Sequence, residues 1–164
     1  MEGCGANVTK LEHSIEMFYG EFRHSVDNKN RLIIPAKFRD TLRENYIDKF
    51  FITRGLEHCL FVFTPREWNL LVKKFNEQPL TKGKARDFMR IFLSGASEVE
   101  CDKQGRITLP QNLLSWAGIR KDVVVVGVLN RFEIWDGESW QKFEADKEKY
   151  YEEIAEDLLD VNSP

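Results

Sequence analysis

Val26-Asp27-Asn28-Lys29-Asn30-Arg31-Leu32-Ile33-Ile34-Pro35 returns as Cys101-Asp102-Lys103-Gln104-Gly105-Arg106-Ile107-Thr108-Leu109-Pro110, with aspartate, arginine and proline all displaced by 75 positions. A second match follows in the same order. Leu60-Phe61-Val62-Phe63-Thr64-Pro65-Arg66-Glu67-Trp68 aligns with Phe132-Glu133-Ile134-Trp135-Asp136-Gly137-Glu138-Ser139-Trp140 at a displacement of 72. Two ordered matches define a tandem duplication, with copies beginning near Met17 and near Ser97. Two copies are too few for a solenoid, so a pseudo-twofold pair is expected.

Each copy reads as the same series of elements. Phe18, Gly20, Phe22, His24 and Val26 alternate with Tyr19, Glu21, Arg23 and Ser25, the period of a half-buried strand. Asp27 to Asn30 is turn chemistry, and Asn30 and Gly105 both tolerate the positive φ of a tight turn. Leu32 to Ile34 makes a second strand. Pro35 then opens a short helix with Phe38 and Leu42 on one face, and Pro110 opens its counterpart with Leu113, Leu114 and Ala117. Gly118 suits the end of that helix. The spacing predicts strands Phe50 to Thr53, Cys59 to Phe63, Val123 to Gly127 and Arg131 to Trp135. Thr64-Pro65-Arg66-Glu67 is a capping box before the stripe Trp68, Leu71, Val72, Phe75. A further helix is expected over Lys84 to Ser94. Trp140, Phe143, Tyr150, Ile154, Leu158 and Val161 predict one long amphipathic helix with an acidic outer face. The class is α+β. Residues 1–16 show little pattern and are expected to be a disordered extension; the copies span 17–95 and 96–164.

The 164 residues are 42% hydrophobic and 31% charged, with 12 phenylalanines and 4 tryptophans, enough for a filled core. No apolar run approaches the ~20 residues that span a bilayer. Residues 1–16 lack the apolar stretch of a secretory signal. Cys4, Cys59 and Cys101 have no paired spacing, which argues against disulfides and zinc and favours a reducing cytoplasm. The net charge of −3 conceals a division. Met17 to Arg90 holds 15 basic and 9 acidic residues, whereas Gln141 to Pro164 holds 3 basic and 8 acidic.

Most enzyme classes lack their motifs here: there is no GxGxxG, P-loop or GxSxG. His13, His24 and His58 are not spaced as metal ligands, and a strand over His58-Cys59 would point the two side chains apart. Glu98 and Glu100 share a strand face that is expected to be solvated. Cys101 has the phase of a buried small hydrophobe. No catalytic residue, cofactor or metal is implied.

Asp-x-x-x-Arg, present at Asp27/Arg31 and Asp102/Arg106, remains. One reading is structural: the aspartate bonds turn amides, and the arginine pairs with it. The other is binding. Arg23, Lys29, Arg31, Lys37 and Arg39 fall within 17 residues, with His24 beside them. Such a unit can touch phosphates and present an arginine to guanine. Glu98, Glu100, Gln111 and Leu114 flank the second motif. The main nucleic-acid contact is therefore expected on the first copy, with Asp102 and Arg106 mostly structural.

These residues carry a resemblance. Met17-Phe18-Tyr19-Gly20, Asp27-x-Lys29-x-Arg31-Leu32-x-Ile34-Pro35-x-x-Phe38-Arg39, Leu60-x-x-Phe63-x-x-x-Glu67-Trp68, Asp102-Lys103-Gln104-Gly105-Arg106-Ile107-x-Leu109-Pro110 and Gly127-x-x-Asn130-Arg131-x-Glu133-Ile134-Trp135 resemble the MraZ family of bacterial proteins over about Met17 to Trp140. The resemblance implies two tandem AbrB-like swapped-hairpin units, a pseudo-twofold β-barrel with flanking helices, and a ring-shaped homo-oligomer. It implies a sequence-specific transcriptional regulator binding short direct repeats in double-stranded DNA upstream of its own gene and the division and cell-wall gene cluster. The place implied is the cytoplasm, on the nucleoid, with no membrane. Arg31 falls on the implied DNA-contacting surface. Asn30 departs from the family's usual glycine, and 16 residues precede Met17, where family chains usually begin. A reading from another class is a non-enzymatic ring scaffold whose basic face binds an acidic protein partner.

Overall fold

A computed structural model describes residues 17–159. The expected extension 1–16 and the end of the last helix, Val161 included, lie outside them. The first copy runs β1 (Phe18–Ser25), β2 (Arg31–Ile33), α1 (Ala36–Glu44), β3 (Lys49–Arg54), β4 (Leu60–Phe63), α2 (Pro65–Asn76) and α3 (Gly83–Ser94). The second runs β5 (Ser97–Glu100), β6 (Arg106–Thr108), α4 (Gln111–Ala117), β7 (Asp122–Leu129), β8 (Phe132–Asp136), α5 (Gly137–Glu148) and α6 (Tyr151–Leu159).

The strands either side of each Asp-x-x-x-Arg turn do not pair with each other. They pair across the duplication. β1 lies antiparallel to β7, β5 to β3, and β2 to β6. Within each copy β3 pairs with β4 and β7 with β8, and β4 meets β8 at the pseudo-twofold. The six-stranded order β1-β7-β8-β4-β3-β5 is palindromic between copies, and β2–β6 forms a separate ribbon. Strands are thus exchanged between the two copies. No sheet closes among the described residues. β1 and β5 remain edges because each turn steers the chain off the sheet into the ribbon.

Alternation sorts side chains to two faces. On the inner face Phe18, Phe50, Ile52, Leu60, Val125, Phe132 and Ile134 meet Leu32 and Ile107 from the ribbon, Phe38 and Leu42 from α1, and Leu113 and Leu114 from α4. Phe18 and Phe38 pack edge to face at 5.2 Å, and Phe22 joins Phe38 at 5.1 Å. On the outer face, Phe63, Trp68 and Phe92 form a second core, with Trp68 stacked 5.0 Å from Phe51.

Local signals hold at the helix ends. The Thr64 hydroxyl accepts the Glu67 amide at 3.4 Å, and Pro65 opens α2. Asp136 accepts the Ser139 amide at 3.1 Å, and Gly118 ends α4 at φ 62°. Two expectations change. The long C-terminal helix is broken at Lys149-Tyr150 into α5 and α6, neither of which has a buried residue. His58 is not on a strand. It sits with Glu57 in a tight helical turn at φ 58° and 61°, its ring 4.5 Å from that of Trp116.

Candidate nucleic-acid interface

The two signature turns share one hydrogen-bond frame. Asp27 Oδ1 accepts the amides of Lys29 and Arg31, both at 2.9 Å, and its Oδ2 accepts Arg31 Nε at 2.8 Å. Asp102 Oδ1 accepts the amides of Gln104 and Arg106 at 2.9 Å, and its Oδ2 accepts Arg106 Nε at 2.8 Å. Three donors around one carboxylate favour its ionised form. The backbone amide of the arginine is the strongest influence, and it holds Asp27 and Asp102 below the usual carboxylate range. The structural reading of the motif is therefore present in full.

It leaves something over. Each arginine spends Nε on the aspartate, and its terminal nitrogens have no protein partner among the described residues. The ribbon register puts Leu32 opposite Ile107, both fully buried. Arg31 and Ile33, Arg106 and Thr108 therefore share the outer face. Arg31 faces Thr108, and Arg106 faces Ile33, so the arginines are diagonal neighbours, roughly 7–8 Å apart at the backbone. Lys29 on the first turn and Lys103 on the second lie exposed at the ends of this pair. Lys103 was missed in the sequence because it aligns with Asn28, one place before Lys29.

The remaining candidates scatter. Arg23 is exposed on β1 and pairs with Glu21 at 3.2 Å. Lys37 lies over the ring of Tyr19 at 3.7 Å. Burial, and then the charge of Arg39, pushes His24 below its ordinary value, which favours the neutral imidazole over the charged form. Arg39 crosses to the other copy. A Cβ on Gly105 would meet its Cδ at 2.5 Å, and its Nε is buried without a partner among the described residues. With Arg43, Asp102 and Lys103 it lines a cleft of about 250 Å³. The basic set assigned to the first copy is thus shared in space with the second turn, and Arg106, expected to be mostly structural, has the same tether and the same ribbon face as Arg31. Among the described residues no group of His, Cys, Asp or Glu could hold a metal, and no helix is long and apolar enough to cross a membrane.

Exchanged strands, paired turns and an outward arginine pair define a tandem-repeat protein whose shared surface is cationic and whose two halves build it jointly. The family model described as "MraZ protein, putative antitoxin-like" matches residues 17–91 and again 92–162. The chain is 53% identical over 146 residues to the "Transcriptional regulator MraZ" of Natranaerobius thermophilus, covering 89% of this chain and 99% of that protein. It belongs to the MraZ family.

Proposed function

We propose that this chain is a DNA-binding transcriptional regulator that reads double-stranded DNA with the β2–β6 ribbon and its two turns. The observation that carries the reading is the diagonal pair Arg31 and Arg106, each tethered through Nε with its terminal nitrogens free of partners among the described residues. A tethered guanidinium loses little freedom on binding. Its outer edge is the fork that bonds O6 and N7 of guanine, and a two-stranded ribbon fits the ~12 Å major groove. Lys29, Lys103, Lys37, Arg23 and Arg39 would serve phosphates, which position the protein without reading sequence. The name of the similar Natranaerobius protein supports the regulatory role.

The finer reading rests on the family resemblance. The targets are short direct repeats upstream of the chain's own gene and the division and cell-wall cluster. The acting form is a ring-shaped homo-oligomer of AbrB-like, barrel-forming units on the nucleoid in the cytoplasm. A gel shift with the chain's own upstream DNA, run against scrambled competitor, tests this. Specific retention is expected. Equal retention of both DNAs, or of neither, overturns it and favours a scaffold that docks an acidic protein.

A further inference from the structure

The cleft of about 250 Å³ between α1 and the second signature turn has an apolar floor and a cationic rim. Leu42 is buried and Ile47 and Cys101 are half-buried beneath it, while Arg43 and Lys103 are exposed at its edge with Arg39 between. Two acids also line it. The Asp102 carboxylate is engaged by Arg106 and two amides, which leaves that of the exposed Asp48.

The repeat supplies a control for these residues. Val26 and Cys101 donate their amides to the carbonyls of Lys121 and Asp48, both at 2.8 Å, so the two halves correspond at this point. At the displacement of 75, Arg39, Arg43 and Lys103 match Leu114, Gly118 and Asn28. The second half builds the same strands, turn and helix with none of the three cations, so the fold does not require them. Nor does the first half pair them well. Among the described residues Arg39 and Lys103 make no hydrogen bond or ion pair, and Arg39 Nε is buried. Arg43 has an exposed pairing with Asp40 at 3.8 Å, which stabilises little. A buried donor without a partner is costly, and an acceptor brought to the guanidinium from outside relieves that cost.

We propose that this cleft binds a phosphorylated small molecule with an apolar body, the chemistry of a nucleotide. Phosphate oxygens meet Arg39, Arg43 and Lys103, the body lies on Leu42, Ile47 and Cys101, and the Asp48 carboxylate accepts from a hydroxyl or amino group. Concave apolar surface with a few converging polar groups suits a small molecule. A duplex backbone of sugar and charge has no part that seeks Leu42 and Ile47. The reading above gives Arg39 and Lys103 to DNA phosphates. On that reading an occupied cleft withdraws both from DNA, and each ligand weakens the other.

Calorimetry on the full chain with ADP, pyrophosphate and adenosine tests the site without DNA. ADP is expected to bind, pyrophosphate more weakly and adenosine not at all. ADP should also slow maleimide labelling of Cys101, read by mass spectrometry. Arg39→Leu/Lys103→Asn installs the residues that the second half carries at the matching positions. It should bind ADP at least about tenfold more weakly, with a cooperative melting transition showing that it folds. Lys103→Asn alone, on the exposed turn, repeats the test where folding is not at issue. No ADP binding at millimolar concentration, pyrophosphate or adenosine as tight as ADP, unslowed labelling of Cys101, or a folded variant as tight as wild type overturns the site. Saturating ADP should weaken DNA affinity several-fold, and ADP that binds but leaves DNA affinity unchanged overturns the coupling. A chain that binds no DNA removes the DNA reading and the coupling, while the ADP results still decide the site.

Discussion

Asp27 and Asp102 each hold a turn and an arginine with one carboxylate, and these two tasks can be separated. Arg31→Ala or Arg106→Ala should cost about 1–3 kcal/mol in specific DNA binding and relax base preference at one position. Lys29→Ala should weaken binding to all sequences alike and lower the salt slope by about one. Were the arginines only staples, melting temperature would fall and DNA affinity would track the folded fraction alone, so the two are measured side by side. The aspartates also set an acid limit. Their folded pKa lies below the unfolded value, so the unfolded chain takes up protons first as pH falls. Their stabilisation is whole above the usual carboxylate range and drains away as pH drops through and below it. Asp27→Asn/Asp102→Asn should therefore flatten the acid limb of melting temperature against pH while lowering the neutral plateau.

At the scale of elements, the exchange depends on close backbone approach. Gly127 of β7 lies opposite Gly20 of β1, and a Cβ on Gly127 would collide with the backbone of Phe18 and Tyr19. Backbone cannot yield as a side chain can. Gly127→Ala should cost at least about 1–3 kcal/mol and loosen β1, read as lost hydrogen-exchange protection across Phe18 to Ser25. Gly105 differs from Gly127. It needs φ 79°, and the atoms over it belong to the long side chain of Arg39. Asn30, its counterpart at φ 60°, faces the other way round: the position matching Arg39 is the shorter Leu114, and Asn30 reaches Gln111 at 3.4 Å. The two turns thus differ because their cross-copy neighbours differ.

For the whole molecule, the decisive property is that neither copy pairs the strands on either side of its own signature turn. Among the described residues β1 finds a partner only in β7, β2 only in β6, and β5 only in β3. A chain cut at residue 95 loses every one of these pairings. Fragments 17–95 and 96–164 should each lack a cooperative melting transition as monomers, and mixing them should restore it. Circular dichroism on each fragment and on the mixture checks this; a fragment that melts cooperatively as a monomer contradicts the exchanged fold.

Much was legible in the residues themselves. Alternation at Phe18 to Val26, the Asp-x-x-x-Arg turns, the Thr64 cap and Gly118 are local signals, and local chemistry decides them wherever the segment lies. The repeat implied two equivalent halves for the same reason: equal sequences have equal preferences. The family resemblance, not periodicity, supplied the exchange of strands. Periodicity says which face of Leu32 and Ile107 is buried but not what covers it, because any apolar surface satisfies a side chain equally. Only the tertiary structure set Arg31 diagonal to Arg106 on one ribbon, sent Arg39 across to Gly105, and left the sheet open at β1 and β5. It also decided that α3 folds back while α6 runs on. That difference goes with chain length after Asn76 and Glu148: six residues link α2 to α3, and only two link α5 to α6.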